Sequence, residues 1–443
     1  MSSILFYQSV NREKKRESQR SLIVFAVYFI YFLSLVEGPL RKWYLPSFAA
    51  PLTLLRDPFI LALYVYCFLN GWIPRKGIGA VWLSFAAFTI GFSMVQFIFN
   101  GLPVTGWILG VRTYWLYMPL SFVIAKTFRK RDVINFVKIN LWIALPYSML
   151  VIVQATSPPT AFINRTVGGE ETGIFLIGPG LVRPYGLFSF TAGNVNFTAS
   201  MVAMLISNFL SRNEERLPIL YLIPISLAVI VMSVLTGSRS IYFYLASICG
   251  YTIISLLVAN GITIKNLLRI IGIILLVLTG IVVFSGVFPD IFNAMMDRFD
   301  SASKIEGSIW NRAFRDILSP LDVVWTAPYF GYGMGLGAPG VASRLGLPDL
   351  IYGESDLQRN INELGVIAGT FFILLRLITA YILSVVIIKL AKSGSLLYSP
   401  FLGCVFLNLT VGQITHTHSV SFPSWMLIGF ILSATEDKSF EAK

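Results

Sequence analysis

The sequence predicts an all-α integral membrane protein with about twelve transmembrane helices, and three observations carry that expectation. Hydrophobic residues make up 56% of the 443 and charged residues 13%, with a mean hydropathy of +0.73. A soluble chain of this length carries nearly twice that charge, close to ~25%. Apolar runs long enough to cross ~30 Å of hydrocarbon recur along the chain. Lys and Arg gather on alternate loops, as the positive-inside bias requires. Backbone groups find no water in a bilayer, and these runs are far longer than barrel strands, so the spans are helices.

The first span, about 21–37, follows the basic stretch Arg12–Arg20 and runs into Glu37-Gly-Pro-Leu-Arg-Lys42 with no small-residue cleavage site. It reads as an uncleaved anchor. Four spans follow at about 52–70, 78–98, 106–125 and 136–154. Arg56 and Asp57 open the second and are expected to pair with each other, while Arg112 lies inside the fourth. After an outer loop at 155–189 come spans at about 190–210, 217–236, 241–259 and 267–287. A second, larger outer loop covers 288–359. The last three spans lie at about 360–388, 397–412 and 421–435; Arg376 in the tenth is expected to snorkel or to pair with a carboxylate. The whole chain, 1–443, forms one membrane domain.

With the N-terminus inside, the basic clusters at 12–20, 126–131 and 389–392 all fall on the cytoplasmic side, as do both termini. Loops 155–189 and 288–359 then face out. The net charge of +12 is largely this topology signal together with attraction to anionic membrane lipids, with nothing that points to nucleic acid. Cys67, Cys249 and Cys404 sit inside spans, without metal or disulfide spacing. No internal repeat and no low-complexity segment is visible.

The larger loop carries most of the polar signal. Ile291–Leu318 has the pattern of one or two amphipathic helices at the membrane surface. The run Gly331-Tyr-Gly-Met-Gly-Leu-Gly337 reads as an irregular loop, since it lacks the Lys-Ser/Thr of a nucleotide cradle. In the smaller loop, Arg183-Pro-Tyr-Gly-Leu-Phe makes a turn before Asn194 and Asn196 at a helix start. Thr236-Gly-Ser-Arg239 is a tight hairpin where a guanidinium joins the positive end of a helix dipole, a setting that suits phosphate. His416 and His418 are placed at the membrane interface.

Three motifs together resemble the O-antigen ligase and polymerase superfamily of bacterial envelope enzymes. Arg183-Pro-Tyr-Gly-Leu-Phe with Asn194 and Asn196 is similar to the family's Arg-x-x-Gly-x-Phe…Asn segment. Thr236-Gly-Ser-Arg239 is similar to its Thr-Gly-Ser-Arg hairpin. Arg312, Pro328-Tyr-Phe-Gly-Tyr-Gly and Glu363-Leu-Gly365 follow the order of its long outer loop. One departure stands out: relatives carry a His nine residues before the Glu of Glu-x-Gly, and here that position is Glu354.

The resemblance implies an inner-membrane glycosyltransferase. It would extend undecaprenyl-diphosphate-linked repeat units into O-antigen or exopolysaccharide at the periplasmic face. Its acceptor would be the growing polysaccharide, with a chain-length regulator as a possible partner, and it would use no cofactor and no metal. Arg183, Arg239 and Arg312 would hold the diphosphate, because guanidinium groups grip two phosphate oxygens at once. Glu354 would be the general base. Arg112, Arg359 and Glu363 are secondary candidates, Glu363 as the residue that orients the loop, with Arg359 beside it at i,i+4. A ligase or protein O-oligosaccharyltransferase is the related alternative. A transporter or flippase for lipid-linked oligosaccharide is the other; it predicts inverted repeats and broken helices, and the sequence displays neither.

Overall fold

The computed structural model describes residues 2–74, 76–170, 174–178, 180–261, 309–342 and 355–436, with isolated positions between 263 and 353. Helices dominate, and among the described residues seven helical runs are long and apolar enough to cross a membrane. They are Val10–Tyr44, Pro46–Leu69, Gly77–Phe99, Val104–Thr127, Lys130–Thr156, Ser240–Ala259 and Val366–Lys392. Ile219–Leu235 and Ser399–Thr410 are shorter apolar helices.

In chain order the helices are α1 (Ser2–Pro39), α2 (Ala49–Leu52), α3 (Asp57–Leu69), α4 (Gly77–Phe99), α5 (Val104–Trp115) and α6 (Met118–Thr127). Then come α7 (Lys130–Thr156), α8 (Thr191–Leu210), α9 (Ile219–Leu235), α10 (Ser240–Asn260), α11 (Ile309–Val323) and α12 (Pro339–Ala342). The last four are α13 (Asp356–Leu364), α14 (Val366–Lys392), α15 (Ser399–Thr410) and α16 (His418–Glu436). A small antiparallel hairpin, β1 (Leu176–Gly178) and β2 (Leu181–Val182), lies between α7 and α8.

Large apolar side chains point outward along α4 and α14: Phe88 is 59% exposed, Ile367 74% and Tyr381 69%. Water would penalise such surfaces, whereas hydrocarbon accepts them. Inside this shell, α8 is buried at every position from Thr191 to Asn208 except Ala192. Close approach of neighbouring helices depends on small residues, as is usual where lipid supplies no hydrophobic drive. A Cβ on Gly403 of α15 would stand 2.4 Å from Ile248 Cα of α10. One on Gly429 of α16 would stand 2.8 Å from Ser121 O of α6.

Two helical runs are interrupted, which the sequence reading missed. The run 104–127 kinks at Leu116–Tyr117, just before Pro119, whose ring carries no backbone donor. Tyr64 Oη donates to Leu116 O there (2.6 Å), satisfying a carbonyl at the kink. The predicted tenth span at 360–388 is corrected: the apolar helix begins at Val366. Gly365 breaks it from the polar α13 at φ +86°, where a Cβ would meet Tyr329 O at 2.2 Å. The start of α13 is fixed by a capping box, in which Ser355 Oγ accepts from Gln358 N and Gln358 Oε1 accepts from Ser355 N.

Most of the predicted ninth span and much of the larger loop, Glu354 included, lie outside the described residues. Within that loop, α11 supplies part of the expected amphipathic helix, and the glycine run is an irregular loop with Gly331, Gly333 and Gly335 at positive φ.

Candidate functional site

Glu363 and the glycine loop, both singled out by the motifs, come together in the structure. Glu363 also belongs to a closed polar network. Asp356 and Glu363 lie seven residues apart on α13 and so share a face. Arg376, on α14, is 0% exposed and reaches back to them. Its Nη1 donates to Asp356 Oδ2 and to Asn360 Oδ1, both at 2.8 Å. Its Nε and Nη2 donate to the carbonyls of Leu409 (2.9 Å), Asn408 (3.0 Å) and Gly412 (2.9 Å), where α15 ends. A helix C-terminus leaves such carbonyls unpaired, and this guanidinium fills the vacancy.

His416, in the turn between α15 and α16, is clamped between the two carboxylates. Nδ1 stands 2.5 Å from Asp356 Oδ1, and Nε2 stands 2.9 Å from Glu363 Oε1. Thr415 Oγ1 also donates to Asp356 Oδ1 (2.8 Å). Burial alone would hold the imidazole neutral, but Glu363 and Asp356 outweigh it and raise its pKa to about 9. Burial likewise opposes ionisation of Asp356, but His416 and Arg376 hold its carboxyl well below the usual range. At neutral pH His416 is therefore an imidazolium that donates to both carboxylates.

The pH dependence follows from these two shifts. The stability contributed by His416 is complete below its unfolded-state value, ~6.5, and is lost as pH rises through about 9. That contributed by Asp356 is present above ~3.9 and is lost as pH falls into its depressed titration range. Unfolding followed by tryptophan fluorescence in detergent is expected to show a midpoint that falls between pH 7 and 10. His416→Gln should flatten that fall, and an unchanged slope in the variant would remove His416 as its cause.

Glu363 pins the glycine loop. Its Oε2 accepts from Tyr114 Oη (2.7 Å) and Gly335 N (2.8 Å), and its Oε1 accepts from Gly337 N (2.6 Å). A Cβ on Gly335 would lie 2.4 Å from Gly110 Cα, so the loop sits directly on α5. Arg359 is buried and donates through Nε to Gly353 O (2.8 Å).

Arg183 and the hairpin of Arg239 are brought together. Arg183 is half-buried and its Nε donates to Thr236 O (3.3 Å). The turn that carries it is held from three sides: Gly186 N donates to Gln154 Oε1 (2.8 Å), Lys42 Nζ to Gly186 O (2.7 Å), and Asn194 Nδ2 to Pro184 O (2.9 Å). Asn196 accepts from Asn408 (2.9 Å), so both asparagines of that motif secure packing. Arg239 occupies the N-cap of α10 and is half-exposed. Arg312 lies on α11, which packs against α13, and Glu354 falls outside the described residues.

One expected pairing is corrected. Arg56 does not pair with Asp57; it forms an ion pair with Glu37 (2.8 Å), and Asp57 pairs with Arg112. His416 is buried in the polar network, and His418 is half-buried with its Nε2 accepting from Arg112 Nη1 (2.5 Å). The sequence reading offered Arg376 a carboxylate partner, which Asp356 supplies, but did not place His416 between Asp356 and Glu363. The available signal was an arginine inside a span, which demands a buried partner.

No protein-family model matches this chain, and no curated protein matches it by sequence.

Proposed function

We propose that this chain is a membrane glycosyltransferase that moves a glycan from a lipid diphosphate donor to a sugar hydroxyl. By the motif resemblance it would be a polymerase of O-antigen or exopolysaccharide repeat units, in the bacterial inner membrane with both termini cytoplasmic and loops 155–189 and 288–359 periplasmic. One observation carries the reading: Arg183, held on a braced turn, touches the hairpin that carries Arg239. Two guanidinium-bearing segments so placed suit the two phosphoryl groups of a leaving diphosphate. Glu354 remains the base in this reading. In sequence it directly precedes Ser355, the cap of α13.

The test is purified protein in liposomes with a lipid-linked repeat unit, read by mass analysis of the products. Lengthened glycan is expected from wild type and none from Arg183→Ala or Arg239→Ala. Arg→Lys should restore only part of the activity, because an ammonium lacks the planar fork. Normal polymer from both alanine variants would overturn the site. The flippase reading gains from the interruptions at Leu116–Tyr117 and Gly365, since broken helices recur in transporters. Transfer of the lipid across the bilayer without lengthening would favour it.

A further inference from the structure

A second group of buried polar side chains lies where α1, α3, α6 and α16 meet, and it is tied to the Arg183 turn through Lys42 and Gly186 O. Arg41, Lys42, Arg56 and Arg112 face only Glu37 and Asp57 as carboxylates, so positive charge is in excess. Arg56 is 4% exposed, yet its guanidinium makes no hydrogen bond among the described residues. It approaches Glu37 off the hydrogen-bond line and stacks over the rings of Tyr117 and Phe422, each at 5.4 Å. Tyr117 Oη and His418 Nδ1 are also buried without partners, and their rings lie 5.7 Å apart.

The protonation of His418 follows from its neighbour. Arg112 has no lone pair to give, so His418 Nε2 accepts from it and the ring proton sits on Nδ1. The groups without a hydrogen-bond partner among the described residues are thus donors, the Tyr117 hydroxyl and the His418 Nδ1–H, with the Arg56 guanidinium, ion-paired to Glu37, stacked on the Tyr117 ring. Buried donors left without a hydrogen bond are costly and rare, and two on rings 5.7 Å apart, in a zone of excess positive charge, call for an acceptor with negative charge. Arg41 and Arg112 keep 14% and 11% of their side chains exposed, which leaves a way in.

We infer that Arg56, Tyr117 and His418, flanked by Arg41 and Arg112, form an oxyanion site for a phosphate-type group, carried by a lipid headgroup or free in solution. The site needs no glycosyl transfer and is read by binding alone, so its failure and that of the proposed activity are distinguishable.

The experiment measures thermal unfolding of the full-length protein in a neutral detergent, titrated with inorganic phosphate against chloride at equal ionic strength. A second arm compares nanodiscs of phosphatidylglycerol with nanodiscs of phosphatidylcholine. A saturable rise in Tm with phosphate identifies a free oxyanion, and a rise only with phosphatidylglycerol identifies a headgroup. Arg56→Lys keeps the charge and loses the fork, so half-saturation should move about tenfold higher. Tyr117→Phe should weaken binding while leaving the unliganded protein as stable as wild type or more so, because it removes an unpaired hydroxyl. That second variant keeps the test open if Arg56→Lys does not fold. No response to either probe in wild type, or a wild-type response in Tyr117→Phe, would overturn the inference.

Discussion

Arg376→Met is expected to destabilise the protein by about 3–5 kcal/mol, the usual cost of removing one partner from a buried ion pair. Methionine fills much of the same volume, so the loss is electrostatic and not a cavity effect. The substitution leaves three carbonyls at the end of α15 without their donor and takes from Asp356 one of the two cations that face it. Asp356 would then rely on His416 and Thr415 alone. Because Arg376 ties α13, α14 and the α15–α16 turn into one unit, the glycine loop should loosen with it. Urea unfolding in mild detergent, read by tryptophan fluorescence, checks the value. A loss below about 1 kcal/mol would mean that water enters the site and solvates Asp356 in its place.

Glu354→Gln is expected to lower turnover by roughly 10²–10⁴-fold, the usual contribution of a positioned base. The substitution keeps the shape and removes the basicity. Both sides of the residue are held: Gly353 O accepts from Arg359 Nε (2.8 Å), and Ser355 caps α13. Donor binding should change little if Arg183 and Arg239 carry the diphosphate. Glu354→His places there the residue type that the resembled family carries, so partial activity is expected from it. Single-turnover kinetics with a lipid-linked donor separate binding from chemistry. Near-normal turnover would remove Glu354 from catalysis. Asp356 and Glu363 would not replace it, because both are buried and committed to hydrogen bonds.

The helices were legible because hydrophobic run length is a local property, and the predicted spans other than the ninth fall on helices. The break at Gly365 was harder to see, since α13 buries Asp356, Asn360 and Glu363 against Arg376 and His416 as a continuation of the span would bury its own face. The Glu363-Leu-Gly365 motif itself was readable in the sequence. The His416 clamp was not: its ring meets Asp356 sixty positions away in sequence, and no local pattern encodes that distance. The pairing of Arg112 with Asp57 and of Arg56 with Glu37 likewise reverses what adjacency suggests, because neighbouring side chains at a helix start point in different directions.

The complete enclosure of α8 has a consequence for how the chain is made. Its 20 residues carry no charge, yet they are not apolar enough to rank among the membrane-crossing runs, because Thr191, Asn194, Asn196, Thr198, Ser200, Ser207 and Asn208 stud its surface. Released alone into lipid, those groups would have to find partners or stay out. Two of the partners they use come from segments synthesised much later: Asn408 Nδ2 donates to Asn196 Oδ1, and Ser207 Oγ donates to Leu397 O. During biosynthesis this helix therefore depends on sequence near the C-terminus before it can settle at the centre of the bundle. Loss of α15 and α16 would strand it, exposing a polar stretch that quality-control proteases read as unassembled.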